Sequence, residues 1–342
     1  MKLLVSALEP SANLHLKPVL EKLGHVQLEG IFDPAFGTPL LPSSAFSVMG
    51  FLDVVPKIAK AKRAIKALAH MSETADHVLL IDSPAFNLPL AKAIKERNPK
   101  AKITYYILPQ VWAWKAKRVA KVEKYCDNLA AILPFETQWY AKATYVGHPL
   151  LDEISQVKKS LTCKGVIAFL PGSRPKEIAR LMPLFKKVAA KLGQKALLVV
   201  PSFIAPENIP ALYGDTSGFT VCFNTHEALY ASDFAFICSG TATLEAALIG
   251  TPFVLAYKAN ALDYQIAKRF VKLPFVGLAN VIFHFLNEPP LHQELLQGAV
   301  SEAALLEAYA ATDGAAFFER AQGLRTMLGQ GSASNVAKMI QV

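Results

Sequence analysis

Short, uninterrupted apolar runs recur along this chain: KLLVSA (2–7), HVLLID (77–82), ITYYIL (103–108), LAAIL (129–133), VIAFL (166–170), ALLVV (196–200), DFAFIC (233–238) and PFVLAY (252–257). Most lack the apolar–polar alternation of a strand with one wet face. They predict strands covered on both sides, as in parallel sheets. Between them lie segments of helical period, such as LKPVLEKLG (16–24), LPLAKAIKER (88–97) and EIARLMPLFKKVAAKLG (177–193). Strand–helix alternation of this kind leaves few choices. It implies right-handed βαβ crossovers and a doubly wound α/β sheet.

The alternation pauses once, over the polar, basic stretch HPLLDEISQVKKSLTCKG (148–165), and 342 residues suffice for two domains. The reading is therefore two Rossmann-like domains, residues 1–155 and 156–325, followed by a tail, 326–342. Its SASNVAKMIQV (332–342) is expected to form a helix crossing back to the first domain. Ligands of such sheets sit beyond the carboxyl ends of the strands, and a cleft between two facing sheets is the default site.

Composition narrows the class. Apolar residues make up 52% and charged residues 18%, which suits a globular chain with ample core and argues against disorder. The longest apolar stretches, ITYYILPQVWAW and ALLVVPSFIAP, fall short of the ~20 residues of a membrane helix and contain proline. The opening MKLLVSALEP is too short an apolar run for a secretory leader, so a cytosolic place is expected. Cys126, Cys163, Cys222 and Cys238 form no CxxC pair and read as reduced, mostly buried thiols. The net charge of +9 favours an anionic partner: nucleic acid, anionic lipid or a phosphorylated small molecule. No aromatic-plus-basic nucleic-acid module accompanies the cations, so nucleic acid is not expected.

The chemistry-bearing strings follow the predicted strands. SGTATLE (239–245) places Ser239, Gly240 and Thr241 at a helix start, where free N–H groups and the helix dipole attract an anion. Glu245, one turn further in, can accept hydrogen bonds from a ribose diol. The same string also serves as an ordinary Ser/Thr helix cap. LPGSRPKEI (170–178) repeats the pattern, and Arg174 can grip a diphosphate or stand exposed in a turn. Neither string is a Walker A, and no GxGxxG is present, which disfavours a nicotinamide enzyme.

In LLIDSPAFN (79–87), Asp82 ends a strand and can act as a general base or merely close an Asx-type turn. Asn87 can orient a ligand or cap a helix. Trp112 and Trp114 in PQVWAWKAKR (109–118) line a pocket or pack on the following helix, with core packing favoured. His148 in VGHPL lies near the junction. SVMGFLDVVPKIAKAKRAI (47–65) carries Phe51, Leu52, Val54, Val55 and Ile58 ahead of Lys57, Lys60, Lys62, Arg63 and Lys66. It reads as an interfacial segment on anionic lipid or as an ordinary amphipathic core helix.

Taken together, SVMGFLDVV, IDSPAFN, YYILPQVWAWKAKR, ILPFE (132–136), YVGHPL, FLPGSRPKEI, SGTATLEAAL, TPFVLAYK and LPFVGLANVI (273–282) resemble the lipid A disaccharide synthase family, in the family's order over nearly the whole chain. The resemblance implies the two-Rossmann GT-B glycosyltransferase fold with an interdomain cleft, and no metal or other cofactor. It implies an inverting hexosyltransferase of lipid A and lipopolysaccharide biosynthesis, peripheral to the cytoplasmic face of the inner membrane. The enzyme would move 2,3-diacylglucosamine from its UDP carrier to the 6-hydroxyl of 2,3-diacylglucosamine 1-phosphate. By the same resemblance, Arg174, Ser239, Gly240, Thr241 and Glu245 hold the UDP moiety, and Asp82 is the base or an acceptor-positioning group. Asn280 lies at the donor side; Glu9, Ser11, Asn87 and His148 lie at the acceptor side; Phe51, Leu52, Val54, Val55 and Ile58 meet the membrane. Oligomeric state is left open.

Two strings depart from the family pattern. ALEPSAN (7–13) keeps Glu9 and Ser11, but Leu8, Ala12 and Asn13 replace two glycines and an aspartate of AGExSGD. Ala85 stands where an aspartate is common, so Asp82 has no obvious like-charge neighbour to raise its pKa. The competing readings are another GT-B enzyme, such as a UDP-N-acetylglucosamine transferase or a UDP-sugar 2-epimerase, and a catalytically silent UDP-binding protein at a membrane surface.

Overall fold

The computed structural model describes residues 1–47, 54–161, 163–260 and 273–341. The chain forms two units, Met1–Asp152 together with Leu328–Val342, and Glu153–Met327.

The first unit is built on β1 (Lys2–Ser6), β2 (Gln27–Phe32), β3 (Leu41–Pro42), β4 (His77–Ile81), β5 (Ile103–Tyr106), β6 (Asn128–Ala131) and β7 (Ala143–Tyr145). All pair in parallel, in the order β3-β2-β1-β4-β5-β6-β7. Alternate residues serve opposite faces. Leu4, Val78, Leu80, Ile103 and Tyr105 pack with Leu68, Leu90 and Ile94. Leu3, Val5, Leu79, Ile81 and Tyr106 pack on the other side with Leu16, Val19, Val336 and Ile340. Each fully buried aliphatic side chain contributes ~1.5–3 kcal/mol. Two-sided burial is why these strands read as unbroken apolar runs.

The last helix, Ser332–Gln341, is part of this first core. Asp152 fixes its start: the carboxylate accepts from the N–H of Gly331 at 2.7 Å and of Ala333 at 2.9 Å. The Ser332 hydroxyl meets that of Tyr106 at 2.8 Å. The chain thus leaves the first unit along the helix Pro149–Glu153 and returns to it at the end of the helix Gly314–Leu328.

The second unit is built on β8 (Val166–Leu170), β9 (Lys195–Val199), β10 (Thr220–Cys222), β11 (Phe234–Cys238), β12 (Phe253–Tyr257) and β13 (Gln293–Leu296). These are again parallel, in the order β10-β9-β8-β11-β12-β13. Phe169 stacks on Phe236 with ring centroids 5.2 Å apart, and Phe185 of the helix Pro175–Leu192 closes over Phe169 at 5.6 Å. Both sheets are doubly wound, with strand order reversing at β1/β4 in one and β8/β11 in the other.

The strands outside the predicted runs are β2, β3, β7, β10 and β13. All lie at a sheet edge or next to one, where two-sided apolar cover is not required. The four cysteines are free; Cys126 and Cys238 are buried, whereas Cys163 is exposed and Cys222 half-buried.

Of the expected membrane segment, Phe51 and Leu52 lie outside the described residues, as do the side chains of Val54 and Val55. The helix Val54–Met71 buries Ala64, Leu68 and Ala69 in the first core and turns Ile58, Lys62, Arg63 and Lys66 outward. Among the described residues no helix is long and apolar enough to cross a membrane.

Candidate functional site

In the second unit, β8 and β11 are paired neighbours, with Leu170 opposite Ile237. The loops that leave their carboxyl ends carry PGSR and SGT, so both strings flank the point where strand order reverses. Crevices of this kind take ligands in open α/β sheets. Gly172 brings the loops together at φ +102°. A Cβ there would lie 2.8 Å from the Glu177 carboxylate and 3.2 Å from Sγ of Cys238, the last residue of β11. Arg174 precedes the helix Pro175–Leu192 and pairs with Glu177 at 2.9 Å, yet its side chain is 78% exposed. The planar guanidinium therefore has donors left for a ligand.

The helix Thr241–Ile249 starts at Gly240, φ +155°, and no side chain caps it. A Cβ on Gly240 would meet nothing within 4 Å, so the space before the helix is open. Thr243 Oγ1 donates to the Gly240 carbonyl at 2.8 Å, which steadies the turn from below. Ser239 is half-buried and Thr241 exposed. Glu245, 13% exposed, lies 3.5 Å from Nε2 of His226, a residue that no sequence signal singled out. The hydrogen bond to Glu245 raises the His226 pKa above its ordinary value, against the opposing effect of burial.

In the first unit, the loops after β1 and β4 flank the other reversal point. Asp82 and Ser83 are both left-handed, φ 50° and 45°. Such a pair in non-glycine residues costs ~1–3 kcal/mol each and needs support. Support comes from every side. The Asp82 N–H donates to the Tyr106 carbonyl at 3.0 Å, and the Asp82 carbonyl accepts from the Tyr105 hydroxyl at 2.6 Å and the Asn87 amide at 2.8 Å. Burial pushes the Asp82 carboxyl above its ordinary pKa; the Ser83 N–H and nearby His15 pull it back. Among the described residues no like-charged neighbour contributes. Ser83 Oγ is buried without a protein partner.

The altered first loop is coherent. Leu8 and Ala12 are buried in the core and have no positive φ, so glycine is not needed at either position. Asn13 donates to the carbonyls of Ala7 at 3.1 Å and Glu9 at 2.8 Å and accepts from the Asp33 N–H at 2.7 Å. An aspartate cannot donate, so the amide suits this brace. Glu9 is exposed and Ser11 half-buried, whereas Ala85 is exposed in the first turn of the helix Pro84–Arg97.

Three expected contact residues lie below the surface. Asn87 is 0% exposed; it accepts from the Ser6 hydroxyl at 2.6 Å and donates to Ile81 as well as Asp82. Asn280 is also 0% exposed; its amide donates to the His292 carbonyl and to Glu294, both at 2.9 Å, and its carbonyl accepts from the Leu291 N–H at 2.7 Å. Asn87 braces the loop after β4, whereas Asn280 braces the chain entering β13, away from the PGSR and SGT loops; all their polar capacity goes to neighbouring chain. His148 is 3% exposed and its Nδ1 accepts from the Leu150 N–H at 3.3 Å, which leaves the ring proton on Nε2 with no protein partner. Burial lowers its pKa to about 3.

Trp112 is core: it packs edge-on against Phe135 and donates to Glu136. Trp114 is exposed, with Lys115 and Arg118 over its ring at 4.1 and 5.2 Å. Among the described residues no cluster of His, Cys, Asp and Glu is arranged to hold a metal ion. A cavity of about 380 Å³ lined by Phe253, His292, Phe317 and Arg320 opens at the amino ends of β12 and β13, away from these loops.

Residues 3–339 match the protein family described as lipid-A-disaccharide synthetase. The lipid-A-disaccharide synthase of Campylobacter jejuni (strain RM1221) is 50% identical over 361 residues, covering 98% of this chain and 98% of that protein. The enzyme of the same name from Helicobacter pylori (strain Shi470) is 48% identical over 351 residues, covering 98% and 96%. Among solved structures, the glycotransferase of kitacinnamycin superposes with a TM-score of 0.60 at 16% identity, covering 99% of this chain and 97% of that one. The UDP-GlcNAc 2-epimerase from Methanocaldococcus jannaschii gives 0.57 at 11%, covering 100% and 99%. At those identities the likeness is one of fold: two parallel-sheet α/β units of GT-B type, an architecture that transferases and epimerases share.

Proposed function

The chain belongs to the lipid-A-disaccharide synthase family and forms the lipid A disaccharide by glycosyl transfer between lipid A precursors; from that premise we propose how its residues divide the work. The reaction is an inverting transfer that uses no metal. The 6-hydroxyl oxygen of 2,3-diacylglucosamine 1-phosphate attacks the anomeric carbon of UDP-2,3-diacylglucosamine. The bond from that carbon to the phosphate oxygen breaks, UDP leaves with the electron pair, and the hydroxyl proton passes to the Asp82 carboxylate. One displacement inverts the anomeric centre.

The second unit takes the donor. Charge on the departing UDP grows in the transition state, and preorganised donors there lower the barrier most. The uncapped start of the helix Thr241–Ile249, with Ser239, Gly240 and Thr241, supplies N–H and O–H donors, and Arg174 supplies positive charge. Glu245 accepts from the ribose hydroxyls. The first unit takes the acceptor at the carboxyl ends of β1 and β4, where the chain carries Glu9 and Ser11 after the one strand and Asp82 after the other. Asn87 acts by holding the loop after β4 in shape, Asn280 by holding the chain that enters β13, and His148 by holding the turn before the helix Pro149–Glu153. The outward face of the helix Val54–Met71, with Ile58, Lys62, Arg63 and Lys66, rests on the cytoplasmic face of the inner membrane, where both lipid substrates reside.

The observation that carries this reading is the placement of all four strings, ALEPSAN, IDSPAFN, PGSR and SGT, at the strand-order reversals of the two sheets. The test is UDP release from UDP-2,3-diacylglucosamine in detergent, with and without 2,3-diacylglucosamine 1-phosphate, with a chelator present and with mass analysis of the product. Acceptor-dependent release of UDP with a disaccharide 1-phosphate supports the assignment. Release without acceptor, a different product, or loss of turnover in chelator overturns it.

A further inference from the structure

We propose that His226 is a positioning residue of the donor subsite: by holding one oxygen of the Glu245 carboxylate, it aims the other at the ribose diol of a bound UDP moiety. The inference rests on the reading of Glu245 as the ribose contact and adds a residue that the family strings do not include.

The geometry is built for this pairing. His226 sits in the first turn of the helix Thr225–Ala231, whose start is set by Asn224: its Oδ1 accepts from the N–H of His226 at 3.1 Å and of Glu227 at 3.2 Å. The Asn224 amide also donates to Glu227 at 2.8 Å, which engages that carboxylate at the helix start. Nε2 of His226 then lies 3.5 Å from Oε2 of Glu245, with the side chains 28% and 13% exposed. Such a partly shielded pair is screened less than a surface ion pair.

The charged groups acting on His226 are Glu245, from the helix Thr241–Ile249, and Glu153, from the helix Pro149–Glu153; both are acidic and favour the imidazolium. The chemistry gives that cation a second purpose. Glu245 stands one turn inside the helix whose start is assigned to the diphosphate. A lone carboxylate there repels the incoming anion, and an imidazolium beside it offsets the repulsion. The second carboxylate oxygen keeps its lone pairs for the two hydroxyls of the sugar.

The test measures binding of UDP and of 2′-deoxy-UDP to the full-length protein by calorimetry, across pH, with donor KM and kcat alongside. His226→Ala is expected to weaken UDP about tenfold, the range of one hydrogen bond to a charged group. It is also expected to shrink the preference for UDP over 2′-deoxy-UDP and to raise donor KM with little change in kcat. His226→Arg, which keeps the cation, restores affinity and abolishes the decline in UDP binding that the wild type shows as pH rises through the imidazole titration. Glu245→Gln separates the two ideas. If it erases ribose preference while His226→Ala leaves both preference and affinity intact, the role of His226 is overturned and that of Glu245 stands. If Glu245→Gln leaves the preference unchanged, the ribose reading falls, and this inference with it.

Discussion

The indole N–H of Trp112 donates to Oε1 of Glu136 at 3.2 Å, while Oε2 of the same carboxylate accepts the backbone N–H groups of Ile132 and Leu133, each at 3.1 Å. One buried side chain thereby ties the loop after β5 to the turn after β6. Burial pushes its carboxyl up to about 7, and the three donors oppose that rise. Glu136→Gln keeps the volume but turns an NH₂ toward groups that need an acceptor. We expect a loss of ~1–3 kcal/mol in chemical denaturation, the cost of leaving buried donors unpaired. An unchanged midpoint would refute the tie.

Arg174→Ala should lower kcat/KM by about 30-fold or more, equivalent to ~2 kcal/mol for one charge-assisted hydrogen bond. Arg174→Lys should recover part of the loss, since it restores charge without the planar fork. Steady-state kinetics at fixed acceptor decide the matter; a near-normal kcat/KM in the alanine variant removes Arg174 from the donor site.

Asp82→Asn should lower kcat and leave UDP binding intact. The wild-type pH profile adds a second check. A base works only when ionised, and burial holds this carboxyl above its ordinary value, so the acidic limb should fall above the usual carboxylate range near ~3.9. The limb should vanish from the residual activity of the asparagine variant.

Stability should decline on acidification from the histidine side. Burial lowers His148 to about 3, and His77 and His292 each to about 4, against ordinary values of 6.5. Each is neutral in the fold and charges more readily when unfolded. Their contribution is fully present above pH ~6.5 and is lost progressively as pH falls toward the folded values. His148→Asn should flatten the curve between pH ~6 and ~4, at a cost in stability at neutral pH. Denaturant titrations at several pH values read this directly.

Ile58 and the cations on its face make a membrane claim that can be weighed. Ile58 is 50% exposed, and Lys62 and Lys66 follow it at helical spacing on the outer face. Ile58→Ser with Lys62→Glu should reduce sedimentation with anionic vesicles several-fold and leave binding of free UDP unchanged. Equal binding to anionic and neutral vesicles in the wild type would refute an electrostatic component.

The central strands were legible because burial on two faces removes polar residues from them. The edge strands β3, β7, β10 and β13 leave no such imprint. QLEGIF, which forms β2, buries only its last three residues. The strings at the loops were legible as candidates, since glycine, hydroxyl and charged residues gather at predicted strand ends, and the structure sets them at the strand-order reversals. What stayed hidden was tertiary. The pairing of His226 with Glu245 joins two helices through space, and THEALY carries no mark of it. Asn87 and Asn280 show the converse. An asparagine inside a functional string invites a ligand role, yet linear pattern does not encode depth, and both are spent inside the fold.

Asp152 caps a helix that follows the whole second unit in sequence. The carboxylate holds Gly331 and Ala333, and that helix supplies Ala333, Val336 and Ile340 to the first core. The first unit is therefore discontinuous in sequence, with the whole second unit inserted between its sheet and the helix that completes the cover of one face. Its core cannot close fully until chain that follows the insert is available to pack beside Leu16 and Val19.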